Sequence, residues 1–153
     1  MTVFDEGRVD AVIGAAREVL GSGGGPQDWP GATGVAVPAA PAGWDGTTGQ
    51  VVGDTAGALR EQHGAYGRLR DAAAGAVAEA ATISRDAHRA LDAVEASWAQ
   101  DKSVLGEGGS SVVGDGPLLL AGIARVDEAR QIVADAVARF GEAAQRLRRV
   151  IAG

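Results

Sequence analysis

The chain has no cysteine, no asparagine, one lysine, one tyrosine, one methionine and two histidines in 153 residues. Without cysteine there is no thiol nucleophile, no disulfide and no thiolate metal site. His63 and His88 stand 25 positions apart, so the catalytic inventory is short from the start. Large apolar side chains are scarce too, since Leu, Ile, Val, Met, Phe, Trp and Tyr together make 38 residues, while 32 alanines and 24 glycines supply the remaining bulk. That mixture excludes a thick multilayer interior. It favours long, slim helices whose alanine-lined faces approach closely and bury a narrow seam. Thirteen arginines against one lysine, with no asparagine, is what a GC-rich genome supplies, so part of the Ala and Gly abundance reflects codon supply.

A net charge of −6 and a pI near 4.8 give no electrostatic reason to bind nucleic acid or an anionic membrane. Asp5, Glu6, Arg8, Asp10, Arg17 and Glu18 break every early apolar stretch, which excludes a classical signal peptide. The longest apolar run elsewhere, Pro117 to Ala124, is far short of the ~20 residues that span a bilayer. The expectation is synthesis in the cytoplasm with no membrane span; export would require a pathway that reads folded or partner-bound cargo.

Four zones follow from the hydrophobic spacing. Within 4–20, Val9, Val12, Ile13, Ala16, Val19 and Leu20 recur at threes and fours, which predicts a short amphipathic helix stopped by Gly21. Residues 21–46 hold four of the five prolines and many glycines, and predict a long irregular loop that Trp29 and Trp44 pin against helices. From 47 to 105 no proline occurs, and Val52, Ala56, Leu59, His63, Tyr66, Leu69, Ala73, Val77, Ala80, Ile83, Ala87, Leu91, Val94 and Trp98 keep helical spacing. The spacing predicts one long helix or two collinear ones, with a kink or frayed start where Gly49, Gly53, Gly57, Gly64, Gly67 and Gly75 each cost ~1 kcal/mol relative to Ala. After a turn at 106–116, Pro117 opens a helix running to about 152, with Leu119, Ile123, Val126, Val133, Val137, Phe140, Ala144, Leu147 and Ile151 in heptad-like register and Arg130 out of pattern.

The expected fold is therefore all-α: a single domain built as an elongated antiparallel helical hairpin (47–105 and 117–152), with the short N-terminal helix and the Pro/Gly/Trp loop packed at one end. A turn of about ten residues makes the two long helices neighbours and places residue 147 near residue 75. Thr47 to Leu69 then stays uncovered unless the N-terminal helix and the loop fold over it. Arg146, Arg148 and Arg149 complement the negative end of their own helix and reach toward Asp71 or Glu79.

No constellation names a reaction. His63 and His88 fit polar rim positions better than ligand or base positions, because each has at most one carboxylate at helical spacing and no second imidazole. Lys102 and Ser103 echo the end of a phosphate loop without the glycine-rich turn such a loop needs. No Ser, His and Asp fall in a nucleophile arrangement. We expect no catalytic residue, no metal site, no cofactor and no small-molecule substrate. Gly49, Gly53 and Gly57, four apart, would form a flat face for close approach of another helix, and codon supply explains them equally well.

Trp44-Asp45-Gly46 stands just before the long Ala-rich helix, and Trp29-Pro30-Gly31 repeats the pattern. Small, acidic, cysteine-free helical chains with this tripeptide resemble the Trp-x-Gly family of type VII (ESX) secretion substrates of actinobacteria. They also resemble the helical N-terminal regions of secreted effectors and cell-wall hydrolases of mycobacteria and their relatives. In that family the tripeptide lies in the turn of a helical hairpin, its Trp packs at one end of a four-helix bundle formed with a partner chain, and export uses a Tyr-x-x-x-Asp/Glu motif. Carried over, Trp44 and Gly46 would be the turn residues. Two departures stand out: Arg70 occupies the acidic place four residues after Tyr66, and the turn at 106–116 has no Trp. The match is thus to the wider class.

The resemblance and the pattern together imply a non-enzymatic interaction module. It would pair with a helical partner protein, or with itself as a homodimer, as cargo or part of a cargo complex. Trp29, Trp44, Tyr66, Trp98 and Phe140 are the expected large anchors, with a filled monomer core the plainer reading for Trp98 and Phe140. The alternatives are a helical targeting or regulatory region of a cell-wall hydrolase and a small enzyme. If the Trp44 indole is buried, Trp44→Ala should cost ~3–5 kcal/mol in thermal or urea unfolding. Unchanged melting would mean an exposed indole.

Overall fold

The computed structural model describes residues 6–21, 46–106 and 116–153. Among them, nearly all are helical and no strand occurs: α1 is Glu6–Val19, α2 is Thr47–Gly106 and α3 is Gly116–Ala152. Trp29, Trp44 and the expected Pro/Gly/Trp loop lie outside the described residues, as does most of the expected turn at 106–116. At 60 residues, α2 is about 90 Å long, against about 55 Å for the 37 residues of α3. The expected frayed start of α2 is not present, and its helix is continuous from Thr47 to Gly106. Its early glycines sit in one continuous helix, where cooperative propagation from the alanine-rich stretch that follows offsets their individual costs. The start is set by Gly46, whose φ of +98° only glycine adopts readily and whose carbonyl accepts the Gln50 N–H at 3.1 Å.

Cross-helix ion pairs fix the register of α2 and α3. Arg125 pairs with Asp101, Arg139 with Asp86 and Arg146 with Glu79, so residue numbers sum to 226, 225 and 225. A step forward on α3 is a step back on α2, and the two run antiparallel. Residue 147 stands beside residue 78 of α2, less than one turn from the expected 75. Ala152, at the end of α3, reaches residue 73, so residues 47–72 of α2 project beyond it.

The N-terminal helix does not cover that projection, contrary to expectation. Lys102 meets Asp10 at 3.3 Å, Arg17 meets Asp92 and Glu95 at 2.6 and 2.5 Å, and Ser84 bonds the Leu20 carbonyl. These contacts lay α1 antiparallel on residues 84–102 of α2, at the opposite end, where it also packs on α3. The reason is apolar content. Val9, Ile13, Ala16 and Leu20 of α1 join Ile83, Ala87, Leu91, Val94 and Trp98 of α2 in one buried cluster. Residues 47–72 offer mainly small or polar side chains, and burial at about 25 cal/mol per Å² favours the richer end.

The seam between α2 and α3 is asymmetric. α3 buries Gly122, Ala129, Ala136 and Ala143, one small residue every seven, while α2 contributes the large partners Ile83, Leu91 and Trp98. Small side chains on one helix let its backbone come close enough for large ones on the other to be enclosed. Ala129 is 0% exposed and Trp98 1%. Overpacking this row should be costly, so Ala129→Leu or Ala136→Leu should lose ~1–3 kcal/mol in urea unfolding. Leu120→Ala, at an exposed position of the same helix, should stay within ~0.5 kcal/mol of the parent.

Candidate helical interaction surface

The heptad-like row read from the sequence of α3 divides: Val126, Val133 and Phe140 pack half-buried against the core, while other members turn outward. Leu119, Ile123, Val137 and Ile151 are exposed, Val126 and Val133 are half-buried, and the small-residue row lies one face round. Part of the larger row borders α1. Between Val9, Val12, Ala15, Ala16 and Val19 of α1 and Gly122 to Val133 of α3 run two shallow apolar depressions of about 250 and 200 Å³, which share Val12 and Arg130. They form one groove along the three-helix end. Arg130, out of pattern in sequence, sits on its border beside Asp127.

A second apolar surface lies on the projecting part of α2, where Val51, Leu59, Tyr66 and Leu69 are exposed, Tyr66 by 66%. Their spacings of eight, seven and three put them on one face of the helix. The last turn of α3 brings Val150 and Ile151 against Tyr66 and Leu69, so the stripe is continuous with the end of the α2–α3 pair.

The groove is rigid because α1 is tied down at its end. Gly21, at φ +73°, closes α1 in the left-handed conformation and donates its N–H to Glu18 O at 3.1 Å. Two carbonyls left over at that terminus find donors on α2: the buried Ser84 hydroxyl donates to Leu20 O at 3.1 Å, and His88 Nε2–H donates to Gly21 O at 2.7 Å. At the other end, Lys102 Nζ lies 5.4 Å from the centroid of the buried Trp98 ring while pairing with Asp10. Arg125 is clamped by Asp101 and Glu128, each at 2.8 Å. Its hydrogen bond to Asp101, then that to Glu128, raises its pKa above the ordinary arginine value. A raised cation contributes stability below its unfolded value and loses it as pH climbs through its folded value, so Arg125 itself stays charged until strong alkali.

Each sequence candidate now has a place. Trp98 and Phe140 pack in the interior, Trp98 fully and Phe140 half-buried, while Tyr66 is outside it. His63 is exposed on the projection and His88 caps α1, about 38 Å away along the same helix. Lys102 is engaged by Asp10 and Trp98, a structural use. Among the described residues, no three His, Asp or Glu side chains gather as a metal site, and no helix is long and apolar enough to cross a membrane. At Gly53 and Gly57 an added Cβ would meet nothing within 4 Å, and Gly49 is half-buried on the same stretch. Gly46 is the described member of the Trp-x-Gly tripeptide and opens α2, with Trp44 outside the described residues. The Ser84–His88 cap escaped the sequence reading because its acceptors are main-chain carbonyls of α1; the small-residue row was legible in the strict seven-residue spacing of 122, 129, 136 and 143. Compared with known proteins, the chain matches no family model, no curated protein and no solved structure.

If the cap holds α1, Ser84→Ala and His88→Ala should each cost ~1 kcal/mol. Amide exchange should quicken along α1 and leave α2 unchanged. Equal loss of protection in all three helices would contradict a local cap.

Proposed function

We propose that the protein is a non-enzymatic helix-pairing module: a helical hairpin of α2 and α3, braced by α1, that binds another helical chain through its uncovered apolar faces. One observation carries this reading. Leu119, Ile123 and Val137 of α3 and the stripe on residues 47–72 of α2 are exposed, although α3 closes the interior with small residues. Runs of exposed Val, Leu, Ile and Tyr at helical spacing are the surface an amphipathic partner helix uses. The projection adds a physical need, since Val51, Leu59, Tyr66 and Leu69 leave apolar area in water whose burial is favourable. Association with a partner supplies it.

The cellular setting we propose is type VII secretion, as cargo or as part of a cargo complex. Trp44-Asp45-Gly46 supports it, standing where the chain enters α2, with Gly46 at a positive φ immediately before that helix. Trp29 and Trp44 would pack the loop against the helices, and a partner would bring the Tyr-x-x-x-acidic motif that Tyr66 and Arg70 do not form.

The test is association. Expressed alone and together with the helical product of a neighbouring gene, the protein should form a discrete complex by light scattering in at least one preparation. A monodisperse monomer in both would defeat the reading. Gly53→Ala and Gly57→Ala add a sharper handle. With open space at both positions, each should raise helix stability by up to ~1 kcal/mol. If a partner backbone rests on this face, the same changes weaken the complex while strengthening the monomer.

A further inference from the structure

The molecule tapers. Among the described residues, α2 runs past the last level of α3 over 47–72, where the final turn of α3 lies against Tyr66 and Leu69; residues from 73 to about 83 lie beside α3, and residues 84–106 lie beside both α1 and α3. The midpoint of α2 falls between residues 76 and 77. Two copies laid antiparallel about that point place residue n of one α2 level with residue 153 − n of the other. One helix then meets three at each end, and two meet two in the middle, giving four helices throughout.

We propose that the partner is a second copy of this chain, paired antiparallel with each projecting 47–72 segment seated in the other copy's groove between α1 and α3. The inference rests on the helix-pairing reading and names its partner. Two matches support it, each obtained by carrying a level on α2 across to α3 by the observed sum of 225. Val51 falls level with residue 102, hence with Ile123, and Tyr66 with residue 87, hence one residue from Val137; all four are exposed. The projection is about 39 Å long and a helix about 10 Å wide, so two such contacts bury on the order of 1,600 Å², the size of a stable specific interface.

Engineered cysteines test this directly in a chain that has none of its own. Within one copy Val51 and Ile123 are about 76 Å apart by register, beyond the reach of any disulfide. Between the proposed copies they face each other. Under mild oxidation the full chain carrying Val51→Cys and Ile123→Cys should therefore become a covalent dimer, and Val51→Cys alone should stay unlinked. Sedimentation of the unmodified protein should give about twice the 15.3 kDa chain mass. Tyr66→Glu should weaken dimerisation at least tenfold with helicity retained, and adding Val137→Arg should restore it. A monomer at all concentrations, as expected if residues 22–45 of the same chain cover the stripe, overturns the proposal, as does a dimer in which only Val51→Cys alone cross-links. If the chain is monomeric by itself yet forms a complex with a co-expressed helical protein, the second-copy proposal falls and helix pairing stands.

Discussion

The structure depends on the close approach of α3 to α2 across Gly122, Ala129, Ala136 and Ala143. With so few large apolar side chains in the chain, a core can close only if one helix gives up side-chain volume so that the other can bury its own. Ile83, Leu91 and Trp98 fill the space those small residues leave, and the cross-helix arginine pairs hold the register. Every other feature follows from where that seam runs and where it stops.

Because the small-residue row faces inward, part of the large apolar row of α3 has to face elsewhere. α1 covers part of it, docked by Val9, Ile13 and Leu20 and capped by Ser84 and His88. The remainder of the row, and the stripe where α2 outruns α3, is left on the surface. The same economy that closes the core thus produces an interaction surface, and the unequal lengths of 60 and 37 residues decide where it lies.

Much of this was legible in the sequence. The helical spacing made the all-α class and the presence of long helices legible. The position of α1 was not legible, because it depends on which end of α2 offers Ile83, Leu91 and Trp98 together, a property of three packed helices. The facing row of α3 is only partly legible for a related reason. Periodicity weights large apolar residues, whereas this interface selects small ones, and Val137 at 55% exposure beside Ala136 at 3% shows the difference across one residue. On the candidate surface, Tyr66 emerged as an exposed residue and Trp98 as a core one, a distinction that spacing alone does not make.

The central claim, that the projecting part of α2 is completed by another helix, is tested most directly by amide hydrogen exchange followed across protein concentration or partner saturation. The account predicts that amides of Val51 to Leu69 exchange fast in the isolated chain and slow markedly on association, while residues 84–102 stay protected throughout. Protection of Val51 to Leu69 that is already complete in a dilute monomer, and indifferent to concentration or partner, would contradict it.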